Sequence, residues 1–307
     1  MSDRTTETTT VHGSVREVAV LGAGGVGGLV GALLARSGDA AVTFVARDET
    51  AACLREHGLH VRSGQLGDVE VAARATTRLT EPVDVLLVAV KATGLTEALD
   101  RVAPEVLASA VVVPLLNGIE HLDVLRARFG SERVVPAVIR VEATRVAPGE
   151  IVHGSSFVEI DLAPGDAPAG AVEAVRDLLA RAGITVRARP DETALVWAKL
   201  SFLAPLALLT TRHRATIGEV RTVHRDELEA LVAEVAAVAT ASGAPSDPAA
   251  SLALYDRFPA GARSSMERDA EAGRPLEVDA IGGAVVRAAE RHGVAVPRTA
   301  RLVVELS

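Results

Sequence analysis

Three glycines with a fixed spacing form the first set of residues with evident chemical use. Gly22, Gly24 and Gly27 follow the G-x-G-x-x-G pattern, after the apolar run 18–21 and before the helix-forming segment 29–36. In this pattern the first glycine permits a tight turn, the second lets the backbone approach a pyrophosphate, and the third lets helix pack on strand. The pyrophosphate then rests on the free N–H groups of the helix. A purely structural glycine turn is the alternative, but the flanking strand and helix favour a dinucleotide site. The residues expected to line it are Gly22, Gly24, Gly25, Val26 and Gly27.

The residue type at the end of the second strand indicates which of the two nicotinamide cofactors is bound. An acidic residue there binds the ribose 2′-OH of NAD, whereas an arginine suits the 2′-phosphate of NADP. The chain has Arg47 followed by Asp48. Because a guanidinium matches phosphate geometry, we predict NADP(H), with a solvated Arg47 and an Asp48 that binds the ribose as the alternative.

Two polar residues follow the next apolar strands. Lys91 comes directly after the run 83–90, and Asn117 with Gly118 comes after the run 111–116. Ligands of open α/β sheets bind at the carboxyl ends of the strands, so we expect both side chains at the binding edge. A solvated loop lysine and a simple Asn-Gly turn are the structural alternatives.

Lys199 lies inside a long and almost wholly apolar helical segment. A lysine in such a place is unfavourable unless it faces water, a partner or a cleft. Burial lowers the pKa of a lysine and makes it a proton donor or acceptor near neutral pH. A lysine that extends its ammonium group to the surface is equally compatible with the pattern.

Two further residues complete the set of candidates. Glu277 precedes a helical segment, where a carboxylate either stabilises the helix start or holds Lys199 or a substrate hydroxyl. Ser264 and Ser265 start another helical segment, where a hydroxyl either caps the helix or binds a carboxylate.

Alternating strands and helices must position these residues in the first half of the chain. A parallel, doubly wound sheet follows from strands that are apolar throughout. The segment 59–73 predicts a hairpin, and 140–163 predicts short strands that extend the sheet antiparallel. The predicted strands are 17–21, 41–46, 83–89, 111–115 and 134–138, and the helices are 25–37, 49–56, 94–107, 122–129 and 171–182.

The second half is predicted to be entirely helical. We therefore expect a disordered tail at 1–15, a Rossmann-type domain at 16–189 and an all-α domain at 190–307 that binds substrate and offers a dimer surface. Pro205 should kink the first of these helices. The helices predicted here are 191–209, 225–242, 248–255, 264–272 and 278–292, with a short one starting at Pro297.

Composition excludes several other functions. The chain has 307 residues, 49% of them hydrophobic, and its net charge of −8 without a basic block argues against nucleic acid as a partner. No uninterrupted apolar run reaches membrane-spanning length, so no membrane partner is expected. Cys53 is the single cysteine, so no intrachain disulfide can form, and a cytoplasmic setting is expected. No metal-binding pattern is evident.

Taken together, these residues resemble the ketopantoate reductase family (2-dehydropantoate 2-reductases) over nearly the whole chain. The similarity includes the glycine pattern, Arg47, Lys91 and Asn117-Gly118. Its most specific parts are Ser264-Ser265-Met266 with Asp269, Glu277-Val-Asp279-x-Ile-x-Gly283, and His292-Gly293-x-x-x-Pro297; Trp197-x-Lys199-Leu precedes them.

The resemblance implies a role for each residue. Lys199 would be the general acid that protonates the substrate carbonyl oxygen as NADPH delivers hydride, and Glu277 would orient lysine or substrate. Arg47 would bind the 2′-phosphate, Lys91 the ribose–phosphate side, and Asn117 the nicotinamide and substrate. Ser265 would bind the substrate carboxylate. The family also implies a place in pantothenate biosynthesis.

The chain departs from the family where asparagines commonly stand four and eight positions after the lysine. It has Leu203 and Ala207 there, on the helical face of Lys199. Because these positions contact substrate in the family, we predict a 2-oxo acid less polar than ketopantoate. The alternatives are another NADP-dependent oxidoreductase of this fold (β-hydroxyacid, opine or imine type) and a catalytically inactive NADP-binding sensor.

Overall fold

The structure, a computed structural model, describes residues 15–307. Strands and helices both occur up to residue 188, and helices alone follow. The predicted tail at 1–15 lies outside the described residues except for Val15, which is buried. The first part contains β1 (Glu17–Leu21), α1 (Gly25–Ser37), β2 (Ala41–Val45), α2 (Asp48–His57), β3 (Leu59–Ser63), β4 (Val69–Val71), β5 (Arg74–Thr76), β6 (Val85–Val88), α3 (Leu95–Leu99), β7 (Val111–Pro114), α4 (His121–Phe129), β8 (Ala137–Arg140), β9 (Ala143–Ala147), β10 (Glu150–His153), β11 (Glu159–Leu162), α5 (Ala169–Arg181) and β12 (Thr185–Ala188).

The second part is built from helices, as predicted. Its elements are α6 (Glu192–His213), α7 (Ile217–Val223), α8 (Arg225–Ala241), α9 (Pro248–Arg257), α10 (Ser265–Glu271), a π-helical turn (Asp279–Gly283) that leads directly into α11 (Ala284–His292), and α12 (Pro297–Leu306).

A parallel five-stranded sheet carries the binding edge. Its order is β5-β2-β1-β6-β7, and every pair in it is parallel. In register, Leu21 of β1 pairs with Val45 of β2 and Val88 of β6. The loops that carry Gly22, Arg47 and Lys91 therefore leave the same edge. The predicted doubly wound sheet is confirmed.

Both faces of this sheet are covered. Alternate residues of a strand point to opposite faces. Val18 and Val20 of β1 belong to the core that contains α1, whereas Ala19 and Leu21 belong to the core shared with α6 and the later helices. Burial on both faces explains why the strands are apolar throughout.

The strands after residue 136 do not extend the parallel sheet, so that prediction was wrong. They form two separate sheets, with orders β4-β3-β10-β9 and β12-β11-β8. The predicted hairpin at 59–73 is present as β3 and β4, and β10 joins it by pairing parallel with β3. This second sheet packs on α1, where a Cβ added to Gly28 would lie 2.8 Å from the side chain of Ile151.

The predicted helix at 94–107 is also wrong. A 3₁₀ turn at Ala92–Gly94 and the short α3 are followed by a separate 3₁₀ turn at Pro104–Leu107. Proline disfavours helical conformation in the residue before it, and Ala103 is extended, with φ −71° and ψ 127°. The predicted strands 83–89 and 134–138 become Val85–Val88 and Ala137–Arg140, and α7 was not predicted.

Helix α6 is the long apolar helix that carries Lys199. Asp191 caps its start by accepting a 2.8 Å hydrogen bond from the N–H of Ala194. The helix continues through Pro205 and ends beyond the predicted Leu209, where Arg214 takes φ 50°. Within residues 15–307, α6 alone has the length and hydropathy to cross a membrane, but 67% of its apolar window is buried by the rest of the protein, as in a core helix.

Candidate active site

The glycine-rich turn presents free backbone groups to open space. Gly22 has φ 101°, which favours glycine, and a Cβ there would lie 2.7 Å from the Val90 side chain. Gly24 is the N-cap of α1, which has neither a side-chain cap nor an acidic residue in its first turn. A Cβ on Gly24 would meet no atom within 4 Å. Uncapped N–H groups beside open space fit a pyrophosphate.

Two other glycines of the turn are required by packing. A Cβ on Gly27 would lie 2.0 Å from the carbonyl oxygen of Gly22, which agrees with the predicted close approach of helix and strand. A Cβ on Gly25 would lie 2.1 Å from the carbonyl oxygen of Ala143 at the start of β9. The second sheet therefore requires Gly25, for a reason that the sequence did not reveal. Val26, between them, is half-buried.

Arg47 lies at the carboxyl end of β2 and is the N-cap of α2. Its side chain is exposed, as is that of Asp48. Within the described part of the chain, the guanidinium forms no ion pair or hydrogen bond. Arg47 is thus free to receive an anionic group at the place where the fold holds a ribose.

Lys91 connects the sheet edge to the helical part. Its Nζ lies 2.5 Å from Oδ2 of Asp269 in α10, and Nε of Arg274 lies 2.8 Å from Oδ1 of the same carboxylate. Asp269 is buried, while 43% of the Lys91 side chain is exposed. The sequence named Asp269 as a family feature but did not identify this ion pair.

Glu277 receives two hydrogen bonds from the sheet edge. Its Oε1 accepts from the backbone N–H of Ala92 at 3.0 Å, and its Oε2 accepts from Nδ2 of Asn117 at 3.2 Å. Glu277 is buried. Gly118 has φ 84°, and a Cβ there would lie 2.3 Å from the carbonyl oxygen of Ala280, so glycine is needed for this close contact. Glu277 therefore joins Asn117 to the backbone that follows Lys91, between the sheet edge and the helices.

Lys199 is the cation of this region without a direct partner. Its side chain is half-buried, and within residues 15–307 its Nζ makes no hydrogen bond. Desolvation by burial lowers the pKa of Lys199 to about 8; the Glu277 carboxylate opposes this change, and the charge of Arg140 adds to it. A lysine with this pKa is mostly protonated at neutral pH and can still release its proton readily.

His121, the first residue of α4, was not identified from the sequence. It is buried, and neither ring nitrogen has a hydrogen-bond partner in the described residues. Burial, together with the charge of Lys199, lowers its pKa to about 4, and the nearby carbonyl of Asn117 acts in the opposite direction. His121 is therefore a neutral group close to Lys199. Its position, four residues after Asn117 on a helix start, was the available signal.

The predicted substrate-binding residues differ in accessibility. Ser264 caps α10 by accepting a 3.0 Å hydrogen bond from the N–H of Glu267. Ser265 is exposed, and its hydroxyl makes no hydrogen bond in the part of the chain that the structure describes. Leu203 is half-buried at the edge of the core. Ala207 is fully buried, so the structure leaves no surface of Ala207 for a substrate to contact.

A cluster of titratable groups lies elsewhere, between α6 and α8. His213, His224 and Glu227 bring three potential ligand atoms within 4.8 Å of one another. The two imidazoles stack with centroids 3.6 Å apart and planes 13° apart, so their in-plane lone pairs do not converge on one point. Glu227 is already paired with His213 and Arg212, each at 2.8 Å. We assign this cluster a structural role.

Comparison with known proteins gives consistent matches over the whole described fold. Two family models match, "Ketopantoate reductase PanE/ApbA" at residues 18–166 and "Ketopantoate reductase PanE/ApbA C terminal" at residues 192–307. The 2-dehydropantoate 2-reductase of Mycobacterium tuberculosis is 33% identical, covering 91% of this chain and 93% of that protein. The crystal structure of 2-dehydropantoate 2-reductase from Methylococcus capsulatus is 27% identical with a TM-score of 0.83, over 94% of this chain and 95% of that one. A D-mandelate dehydrogenase with NADH and anilino(oxo)acetate has the same fold, with 23% identity and a TM-score of 0.85 over 94% and 96% of the two chains.

Proposed function

This chain belongs to the ketopantoate reductase family of oxidoreductases, and on that premise we propose that it reduces a 2-oxo acid to the 2-hydroxy acid with NADPH. The observation that carries the proposal is Lys199, a desolvated lysine whose Nζ makes no hydrogen bond to any residue from 15 to 307. It lies close to Glu277, which links the helical part to the sheet edge.

The residues at the sheet edge fit a nicotinamide dinucleotide. The uncapped start of α1 at Gly24 would receive the pyrophosphate, and the exposed Arg47 would bind a 2′-phosphate by charge-assisted hydrogen bonds. When bound, the cofactor supplies the hydride. A 2′-phosphate distinguishes NADPH from NADH, so Arg47 is the residue on which the cofactor preference depends.

Lys199 would act as the proton donor. Hydride transfer to a ketone places negative charge on the carbonyl oxygen, and a nearby ammonium group first stabilises this charge and then neutralises it by giving up a proton. The lowered pKa of Lys199, about 8, makes the transfer easier than from an ordinary lysine while keeping the group mostly charged at pH 7.

Glu277 would orient this proton donor and connect the helical part to the sheet edge. Its carboxylate is buried and already accepts hydrogen bonds from Ala92 and Asn117. A buried carboxylate near an ammonium group favours the charged form of the lysine, which agrees with its opposing effect on the pKa of Lys199. Glu277 thus keeps Lys199 protonated before the reaction.

The substrate is proposed to be less polar than ketopantoate. Leu203 stands where relatives commonly have an asparagine, so a substrate hydroxyl placed there would lose a partner. An apolar group of the substrate would instead gain contact with Leu203.

A direct test follows NADPH and NADH absorbance with ketopantoate and with benzoylformate, an apolar 2-oxo acid. We expect turnover with NADPH, faster with benzoylformate, and a loss of about 100-fold or more in Lys199→Met. Efficient reduction of ketopantoate with a low KM would refute the apolar preference. Tight NADPH binding without turnover of any oxo acid would instead identify a cofactor-binding protein without reductase activity.

A further inference from the structure

Arg140 ends β8, a strand of the third sheet that follows directly on a segment beside β7 of the parallel sheet. The chain before it runs parallel to β7, because Val134 forms a parallel bridge with Val112 and the N–H of Val135 donates to the Val112 carbonyl at 3.0 Å. The carboxyl end of β8 therefore points the same way as the end of β7, which is followed by Asn117. Ligands of such sheets bind at this edge.

One nitrogen of the Arg140 guanidinium donates a hydrogen bond to a buried carboxylate. Asp161 in β11 is 1% exposed, and its Oδ2 accepts from Nη1 of Arg140 at 3.1 Å and from Nε of Arg189 at 3.0 Å. Arg187 lies 3.7 Å from the other oxygen. This anchor fixes the direction of the Arg140 guanidinium, whose Nε and Nη2 make no hydrogen bond within the described residues.

The positive charge around Asp161 exceeds its negative charge. Three arginines face one carboxylate there, and Arg187 alone has a second acidic partner, Glu159, at 2.7 Å. The surplus charge of Arg140 acts on Lys199, whose α6 packs against β8. Arg140 and Lys199 thus supply positive charge to one region, where Glu277 is the carboxylate that opposes it.

A 2-oxo acid brings a carboxylate next to the carbonyl that must be protonated. An arginine with two free donors matches a carboxylate in shape and charge. The accessible part of α6 supplies no amide donor at Leu203, which stands where relatives commonly have an asparagine. The 34% exposed side chain of Arg140 is accessible to such an anion.

We propose that Arg140 binds the substrate carboxylate and selects 2-oxo acids over neutral ketones, an inference that rests on the proposed 2-oxo acid reduction. Asp161 holds the guanidinium in place through Nη1, and the free Nε and Nη2 donate to the carboxylate. Arg140 thus supplies a polar contact that Leu203 of α6 does not.

The test compares benzoylformate with its neutral methyl ester in the wild type, Arg140→Gln and Arg189→Gln. Arg189 is the matched control because it binds the same oxygen of Asp161 without acting on Lys199. We expect Arg140→Gln to raise KM for the acid about 10- to 100-fold and to leave KM for the ester within about twofold. Arg140→Lys should restore part of the loss, and Arg189→Gln should change neither KM.

Two further readouts separate substrate binding from a structural role. Calorimetric titration with phenylacetate, a carboxylate that cannot be reduced, should show binding about 10-fold or more weaker in Arg140→Gln. The pH at which wild-type activity declines should move upward in Arg140→Gln, because a charge that lowers the pKa of Lys199 has been removed.

Equal losses for acid and ester, equal losses in Arg140→Gln and Arg189→Gln, or unchanged phenylacetate binding would each overturn the assignment. If the wild type reduces neither benzoylformate nor ketopantoate, the proposed reaction fails. The phenylacetate titration still decides the role of Arg140 in that case.

Discussion

Replacing Lys199 with methionine should make the protein more stable while it abolishes reduction. The ammonium group of Lys199 is desolvated and makes no hydrogen bond within the described residues, so its charge is maintained in the folded state at a cost in free energy. Methionine has similar length and no charge, and it suits an irregular apolar site.

The size of the effect follows from the pKa of Lys199. Its fall from 10.5 to about 8 corresponds to about 3 kcal/mol against the charged form, at about 1.4 kcal/mol for each tenfold change. Because the side chain keeps some contact with water, we expect a gain of about 2 kcal/mol in the free energy of unfolding at pH 7.

The gain must also depend on pH in a defined direction. Between about pH 8 and 10.5 the unfolded chain holds the lysine proton more tightly than the folded chain, so wild-type stability rises with pH in this window. Below pH 8 the penalty is fully present, and near pH 10.5 it is gone. The advantage of Lys199→Met should therefore be constant at pH 6–7 and shrink towards zero above pH 10.

Urea unfolding at pH 7 and pH 10 measures this directly. Lys91→Met is the matched control, because Lys91 is 43% exposed and paired with Asp269, and its removal should give no gain. A Lys199→Met protein that is less stable than wild type at pH 7, or whose difference from wild type is the same at both pH values, would refute the reasoning.

Four other substitutions test the residues proposed to bind the cofactor and the substrate. Arg47→Ala should weaken NADPH binding about 10- to 100-fold in a fluorescence titration and leave NADH unchanged; equal loss for both cofactors would contradict a 2′-phosphate contact. Gly24→Ala should unfold at the wild-type temperature, because its Cβ meets open space, yet bind NADPH at least about 10-fold more weakly. Gly27→Ala should instead lose about 1–3 kcal/mol of stability, because its Cβ would lie 2.0 Å from the Gly22 carbonyl oxygen; the reverse order of the two thermal shifts would contradict the geometry. Leu203→Asn should raise kcat/KM for ketopantoate relative to benzoylformate about 10-fold, and an unchanged ratio would show that this position does not contact the substrate.

Local patterns predicted the parts of the fold that depend on nearest neighbours. The glycine spacing, the apolar strands and the long helix of Lys199 each follow from a short stretch of sequence, and the structure confirms the parallel sheet they imply. The predicted helix 94–107 ran through Ala103 and was wrong, although Pro104 marks a break there. The arrangement of β8 to β12 could not be predicted from local patterns, because it depends on pairing between strands that are distant in sequence.

In the candidate site, too, local patterns identified some residues, and long-range contacts determine the importance of others. Lys199, Asn117 and Glu277 were identified from position and residue type, and the structure brings Asn117 into contact with Glu277 across 160 residues of chain. Arg140 could not be recognised, because its significance comes from the buried Asp161 and from the direction of β8. Gly25 was assigned to the cofactor alone because the second sheet that requires it was not foreseen.

The pH dependence of hydride transfer tests the central claim most directly. Single-turnover reduction of benzoylformate by the NADPH complex should be constant from about pH 6 to 7 and decline with an apparent pKa near 8, since only protonated Lys199 can donate its proton. Lys199→Met should bind NADPH as the wild type does and lose this pH-dependent rate. A rate that is independent of pH from 6 to 9.5, or one retained in Lys199→Met, would contradict the assignment of Lys199 as the proton donor.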